Sequence, residues 1–214
     1  MIPVSLGWPD GGGGTVQRSG HTSGDPVIVR ACGLVLREWQ PSDVPNMVAM
    51  FNTREMNRWT PLEYPFDERV ASAYVERAHR ARAGGTIQLA ITEDGLTPLG
   101  EVLLFPTGVA QTCEFAYAVG SAYRGRALAA RAVRALLPLA RSQGYRTARL
   151  VIAVDNVPSH HVARAAGFTL TQERLQRRER KSYVLTMATW ARSIAGDEKP
   201  VPAGPTGFPS VRVP

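Results

Sequence analysis

Cysteine and long apolar runs are both scarce in this 214-residue chain. The two cysteines, Cys32 and Cys113, are too few for a disulfide framework, and neither belongs to a closely spaced pair of the metal-binding kind. No run of about 18 apolar residues is present, so we expect no membrane-spanning helix. The first residues lack a basic segment followed by an apolar one, so we expect no secretion signal. The sequence therefore predicts a cytoplasmic protein with neither a membrane anchor nor a bound metal.

Lysine is almost absent as well, since Lys181 and Lys199 are the only two. The formal net charge of +7 therefore comes from arginine. A basic protein can bind nucleic acid, a membrane surface or a polyanionic small molecule. Aromatic and basic residues do not interleave as they do in proteins that bind single strands, which disfavours nucleic acid as the main partner.

Composition divides the chain into three parts. Residues 1–30 are rich in Gly, Ser, Pro and Thr, and residues 193–214 turn to Pro and Gly, so we predict a flexible leader and a disordered tail. Residues 31–192 carry apolar residues in both the helical and the strand periodicity, and they predict a single α/β domain. Its predicted strands lie at residues 34–39, 86–93, 98–105, 113–119, 148–154, 168–175 and 182–187. Helices are predicted at 44–51, 67–84, 128–143 and 157–166, with an irregular aromatic segment at 54–66 and an arginine-rich link at 176–181.

The stretch from residue 113 to residue 140 is the most informative part of the chain. It begins as a strand of alternating apolar residues, passes through the small residues Gly120-Ser121-Ala122, and then opens an amphipathic helix. The first N–H groups of a helix have no partner within the helix, and the aligned peptide dipoles add positive charge there. Because Arg124, Arg126 and Arg131 add full charges, the segment 123–130, called the cradle below, is expected to bind a diphosphate.

Two common phosphate loops fit this segment badly. The Walker pattern needs Lys followed by Ser or Thr after its last glycine, and neither is present. The dinucleotide fingerprint needs three glycines, and only Gly125 lies in the turn. The segment instead resembles the pyrophosphate loop of the GNAT superfamily of N-acetyltransferases, Arg/Gln-x-x-Gly-x-Gly/Ala, read here as Arg124-Gly125-Arg126-Ala127-Leu128-Ala129. Ala127 replaces the middle glycine, and we expect it to be helical with a free N–H. The alternative to a diphosphate cradle is an ordinary helix start that happens to carry basic residues.

A second motif strengthens the resemblance. Asn156-x-x-Ser159 followed by Ala166-Gly167-Phe168 is similar to the element that follows the fifth strand of the GNAT fold. The segments at 34–43 and 54–61 further resemble the subgroup typified by ribosomal-protein alanine N-acetyltransferases. The resemblance covers residues 34–190 and implies a central, mixed, mostly antiparallel sheet of about seven strands with helices on both faces.

The resemblance implies acetyl-CoA as the donor substrate and assigns residues to it. Backbone groups of Tyr117, Ala118 and Val119 would meet the pantetheine arm. Asn156 and Ser159 would lie near the pantetheine and the sulfur, and Arg131 near the 3′-phosphate. The diphosphate would be held by the cradle residues Arg124, Gly125, Arg126, Ala127, Leu128 and Ala129.

The resemblance also suggests catalytic residues, each of which has a structural alternative. Glu114 is the candidate base, or else a solvent-facing strand carboxylate. Ser159 is a candidate proton donor to the leaving thiolate, or else a helix cap. Tyr183 is a second candidate acid, or else a core tyrosine. His160 and His161 lack a third ligand and are expected to be surface histidines.

The leading hypothesis is an N-acetyltransferase, monomeric or homodimeric, that acts on a primary amine of a small molecule or of a protein N-terminus. The acceptor segment mixes acidic and basic side chains, so the sequence leaves the acceptor open. A non-catalytic acyl-CoA-binding module is the alternative. A nucleic-acid binder that uses the link at 176–181 is a third hypothesis.

Overall fold

The computed structural model describes residues 26–179 and 183–195. Within these ranges nine strands form one sheet, in the order β1-β2-β3-β4-β5-β6-β9-β7, with β8 also paired to β9. They are β1 Ile28–Ala31, β2 Leu34–Glu38, β3 Ile87–Thr92, β4 Gly100–Pro106, β5 Thr112–Val119, β6 Thr147–Ala153, β7 Thr169–Leu170, β8 Gln176–Glu179 and β9 Val184–Ser193. Only β5 and β6 pair in parallel, so the predicted mixed, mostly antiparallel sheet is confirmed.

Helices cover both faces of this sheet, as predicted. They are α1 Val44–Phe51, α2 Arg54–Trp59, α3 Glu68–Ala81, α4 Leu128–Ser142 and α5 Val157–Ala165. The apolar stripe of α4 and the small residues of α5 pack on one face, in a core that includes Phe115 and Leu150. The opposite face lies under α1, α2 and α3, in a core that includes Phe66 and Ala118. Successive residues of β5 therefore point alternately to the α4 face and to the α3 face.

The folded chain extends beyond the predicted domain at both ends. β1 begins at Ile28, inside the predicted leader, and pairs with β2 through the two-residue turn Cys32-Gly33. Both turn residues have positive φ, as a tight hairpin of this twist requires. At the other end β9 continues to Ser193 and Ile194 is buried, where the tail was expected to begin. The rest of the predicted leader and tail lies outside the described residues.

Four expectations about local structure are wrong. The segment expected to be irregular begins with α2, because the side chain of Thr53 accepts from the Met56 N–H and caps that helix. The strand expected at 168–175 is reduced to β7, and the arginine-rich link contains β8, which pairs with β9. The last strand begins at Val184, later than expected, and runs further. The polar sequence of β8 has no apolar alternation, so pairing with β9 decides its structure.

A carboxyl group lies in the core beneath α3. Glu101 of β4 is fully buried between Ala90 and Ala118 of the neighbouring strands. Its Oε2 accepts a hydrogen bond of 2.8 Å from the hydroxyl of Tyr74, and its Oε1 has no partner among the described residues. Burial raises the pKa of Glu101 to about 7, against the lowering effect of the Tyr74 hydrogen bond.

Candidate active site

An opening between β5 and β6 dominates one end of the sheet. Their parallel ladder ends at the pair Phe115 and Leu150, although β5 continues to Val119 and β6 to Ala153. Beyond that pair the two strands no longer exchange backbone hydrogen bonds, and this gap is called the opening below. An extended ligand can therefore pair with either strand edge at this place.

The hydrogen-bond pattern of β5 shows which amides face the opening. The Gly120 N–H donates to the Leu99 carbonyl of the β4 side at 3.0 Å. Because hydrogen-bonded positions alternate in an antiparallel ladder, Ala118 also directs its backbone groups toward β4. The N–H groups of Tyr117 and Val119 point the other way, into the opening. Of the three residues predicted for the pantetheine arm, Tyr117 and Val119 thus offer free backbone groups, and Ala118 does not.

The motif of Asn156 and Ser159 forms the far wall of the opening. The Asn156 side chain accepts from the Ser159 N–H at 3.3 Å and caps α5, so Asn156, not Ser159, is the cap. The hydroxyl of Tyr117 donates to the Ser159 carbonyl at 3.1 Å. Burial raises the pKa of Tyr117 to about 12, so the phenol stays protonated at neutral pH.

The cradle lies at the same end of the sheet. A single 3-10 turn, Ser121–Tyr123, leads from β5 to the start of α4, where no side chain caps the helix. Gly125 is exposed with φ of +78°, and a Cβ there would meet no atom within 4 Å. The space beside Gly125 is therefore open next to the helix start, as a phosphate site requires.

Ala127 departs from the expected helical conformation. It is the N-cap of α4, with φ of 54° and ψ of 21°, in the left-handed region. The expectation was wrong because Ala127 precedes the first helical residue, Leu128, and turns the chain into the helix with a left-handed backbone. A left-handed alanine costs roughly 1 kcal/mol relative to glycine, since its Cβ crowds the backbone. Leu128 and Ala129 follow with buried side chains, so only their backbone can reach a ligand.

The two arginines of the cradle and the adjacent Arg131 are paired with carboxylates. Arg124 contacts Glu55 of α2 at 2.8 Å, and Arg126 forms an ion pair with Glu93. Arg131 contacts Glu93 at 3.0 Å and also donates to the carbonyls of Cys32 and Gly33 in the β1–β2 turn. Arg131 therefore anchors this hairpin, and its assignment to the 3′-phosphate stays a prediction.

Glu114 lies where the ladder of β5 and β6 comes to its end, on the face covered by α2 and α3. Its side chain is 15% exposed, so the solvent-facing alternative is wrong. Burial raises the pKa of Glu114, and the charges of Arg178 and Arg149 partly oppose that shift. A carboxyl group with a raised pKa beside a cleft suits general base catalysis.

Tyr183 contacts both α2 and the sheet. Its hydroxyl lies 3.0 Å from the Asn57 carbonyl and 2.9 Å from the Arg58 carbonyl, both in α2. Its ring packs beside Trp59 against a small cluster of β6 and β9 residues. The alternative of a packed structural tyrosine thus describes it better, because it fastens the β8–β9 hairpin to α2.

Arg178 is the residue that sequence reasoning missed. It lies on β8, and its guanidinium is 3.8 Å from a carboxylate oxygen of Glu114. The register of β8 against β9 brings it there, and a polar strand of four residues carries no signal of that register.

Among the described residues, no cluster of three or more His, Cys, Asp or Glu side chains is placed to hold a metal. No helix of the described part is long and apolar enough to cross a membrane.

Comparison with known proteins identifies the family. Residues 33–169, more than half of the chain, match the family model described as acetyltransferase (GNAT) domain. The chain belongs to the GNAT acetyltransferases. It is accordingly an acyltransferase enzyme, as the cradle and the Asn156 motif predicted. A comparison with curated proteins found no match.

Solved GNAT structures share this fold at low sequence identity. The microcin C7 self-immunity acetyltransferase MccE, solved with acetyl-CoA and AMP, has a TM-score of 0.66 and 17% identity over 75% of this chain and 92% of its own. RimL, a ribosomal L7/L12 α-N-protein acetyltransferase, has a TM-score of 0.65 and 19% identity over 81% of this chain and 98% of its own. RimJ of Mycobacterium smegmatis, in complex with CoA-disulfide, has a TM-score of 0.65 and 18% identity over 78% of this chain and 86% of its own. These neighbours include the expected ribosomal-protein subgroup.

Proposed function

We propose that this GNAT protein is an acetyl-CoA-dependent N-acetyltransferase that acts on a primary amine by direct attack in a ternary complex. The observation that carries the proposal is the opening, in which free amides of Tyr117 and Val119 face a gap beside an uncapped helix start. The sparse cysteines suit a reducing compartment, so we place the enzyme in the cytoplasm.

The residues of the opening and of the cradle suit a thioester that carries a diphosphate. The backbone of Tyr117 and Val119 would pair with the pantetheine arm as an added strand would. The amides from Gly125 to Ala129 would donate to the diphosphate, and the open space at Gly125 leaves room for it. Acetyl-CoA bound in this way would supply an activated acetyl group, and its presence in the MccE structure supports this choice of donor.

Glu114 is the proposed base because the acceptor must lose a proton. An ammonium with a pKa of ~10.4 is neutral in roughly one molecule in 10³ at pH 7, whereas an α-amine with a pKa of ~8 is neutral in about a tenth. The amine nitrogen bonds to the acetyl carbon to form a tetrahedral intermediate, and the carbon–sulfur bond breaks when that intermediate collapses. Glu114 takes one proton from the amine, and the hydroxyl of Ser159 is the candidate donor of one proton to the departing thiolate.

The amide of Val119 would stabilise the charge that develops on the acetyl oxygen. Its N–H is directed into the opening and is held by a strand that pairs with β4 from Cys113 to Val119. A donor fixed in this way needs no reorganisation during the reaction, which is the main source of electrostatic catalysis.

A matched pair of glycine variants tests the donor site. Gly125 and Gly144 flank the two ends of α4, both have positive φ, and both have open space where a Cβ would lie. Gly125→Trp should weaken CoA binding at least 10-fold by calorimetry, because the indole fills the cradle. Gly144→Trp should bear the same backbone strain and keep wild-type affinity. Equal affinity of both variants would contradict the cradle assignment.

Turnover requires its own measurement. Thiol release from acetyl-CoA, followed with a panel of amino acids, polyamines, aminoglycosides and N-terminal peptides, should identify at least one acceptor. Tight binding of acetyl-CoA without thiol release on any amine would contradict the enzyme assignment and leave the acyl-CoA-binding module. Whether the acceptor is a small molecule or a protein N-terminus, and whether the enzyme is a monomer or a homodimer, stay predictions.

A further inference from the structure

Three carboxylates in and around α2 already have partners on the protein. Glu55 pairs with Arg124, and Asp155 pairs with Arg58. The side chain of Asp67 accepts from the Val70 N–H and caps α3. Because each of these three charges has a partner on the protein, each attracts a polycationic acceptor less strongly than a free carboxylate would.

Glu114, the carboxylate next to the opening, is accompanied by two arginines. Arg149 lies directly opposite it on β6 and forms an ion pair with Glu173. Arg178 approaches it from β8 at 3.8 Å, long for a charge-assisted hydrogen bond. The side chain of Arg178 is 34% exposed, and within residues 26–179 and 183–195 Glu114 is the carboxylate with which it pairs.

This pair of charges is complementary to a zwitterion. An α-amino acid carries its amine and its carboxylate on one carbon, so the two charges lie only a few ångströms apart. Glu114 can receive the amine while the planar guanidinium of Arg178 receives the carboxylate through two parallel hydrogen bonds. Neither contact requires a further charged group.

We propose that the acceptor is a free α-amino acid, with its carboxylate bound by Arg178 and its amine presented to Glu114. This inference rests on the proposed N-acetyltransferase function and specifies its substrate class. Arg178 is then a specificity residue supplied by the β8–β9 hairpin, which Tyr183 fastens to α2.

Pairs of acceptors that differ only in the carboxylate test the proposal. Leucine, phenylalanine and glutamate are each compared with the amine obtained by decarboxylation, and thiol release from acetyl-CoA gives kcat/KM for both members. The wild-type protein should prefer the amino acid at least 10-fold in one or more pairs. Preference for the decarboxylated member in every pair would overturn the proposal.

Two variants of β8 supply the matched comparison. Arg178→Gln should abolish the preference, while Arg177→Gln should retain it, because Arg177 is the exposed neighbour on the same strand and loses the same charge. The ratio within a pair is the quantity compared, so any change in the basicity of Glu114 affects both members equally. An unchanged ratio in Arg178→Gln would overturn the proposal.

Direct binding separates this proposal from the proposed function. The preferred amino acid, in the presence of CoA, should raise the melting temperature of the wild-type protein and of Arg177→Gln but not of Arg178→Gln. Turnover of amines without any dependence on Arg178 would reject the amino-acid acceptor alone. The absence of turnover on every amine, with CoA still bound, would reject the transferase function itself.

Discussion

The hydroxyl of Tyr117 donates to the backbone carbonyl of Ser159 at 3.1 Å, and so joins β5 to α5 on the two sides of the opening. The strands that carry these residues have already stopped pairing at Phe115 and Leu150. The phenol therefore provides a polar link between the two walls where the backbone provides none. Its position makes it a structural brace for the site that we assign to acetyl-CoA.

Removal of this brace should have a small cost in stability and a larger effect on ligand binding. Tyr117→Phe should lower the free energy of unfolding by about 1 kcal/mol, the usual net value of one hydrogen bond. The affinity for CoA should fall as well, because the walls are less well held. Urea denaturation and calorimetry measure the two effects. Tyr145→Phe, a second tyrosine of the same core, serves as control and should keep CoA affinity.

Glu114→Gln should separate binding from catalysis. The variant should bind CoA like the wild type and lose activity by about 10²-fold or more, the usual contribution of a general base. The loss should be largest at low pH, because at high pH more of the acceptor is already neutral. Steady-state rates from pH 6 to 10 measure this, with Glu179→Gln on β8 as control. Unaltered rates across this range would mean that another group or water removes the proton.

Ala127→Gly should relieve the left-handed N-cap of α4. Glycine adopts φ of 54° without the Cβ clash, so the free energy of unfolding should rise by up to ~1 kcal/mol. Ala130→Gly, in the first turn of the same helix, should instead lower it by roughly 0.5–1 kcal/mol. Denaturant titration of both variants checks that their free energies of unfolding change in opposite directions. A destabilised Ala127→Gly would contradict the assigned backbone conformation.

Glu101 should make stability depend on pH. Its pKa is raised to about 7 in the folded protein, so the unfolded chain ionises first as pH rises. The stability contribution of the protonated group is present below the ordinary carboxyl pKa and is lost by about pH 7. Between pH 4.5 and 7 the wild type should lose up to ~3 kcal/mol more of its unfolding free energy than Glu101→Gln does. Exposed Glu76 provides the control, since Glu76→Gln should follow the wild-type curve.

Local patterns were sufficient to predict much of this molecule. The alternation in β5, the small residues of the turn and the apolar stripe of α4 each depend on neighbours within a few turns of chain, so this strand, turn and helix were predicted in the right order. Pro158 and Gly167 likewise predicted the two ends of α5. Where local signals were weak, as in the polar strand β8 and the short helix α2, the predictions were wrong because tertiary pairing and a single cap decided the structure.

The sequence by itself determined the family and the order of strand, turn and helix from β5 to α4, since short-range periodicity and turn chemistry encode them. Only the tertiary structure decided that β5 and β6 separate beyond Phe115, that Ala127 is left-handed and that Arg178 stands beside Glu114. These features depend on the register between strands distant in the chain, and register follows from the packing of the whole sheet.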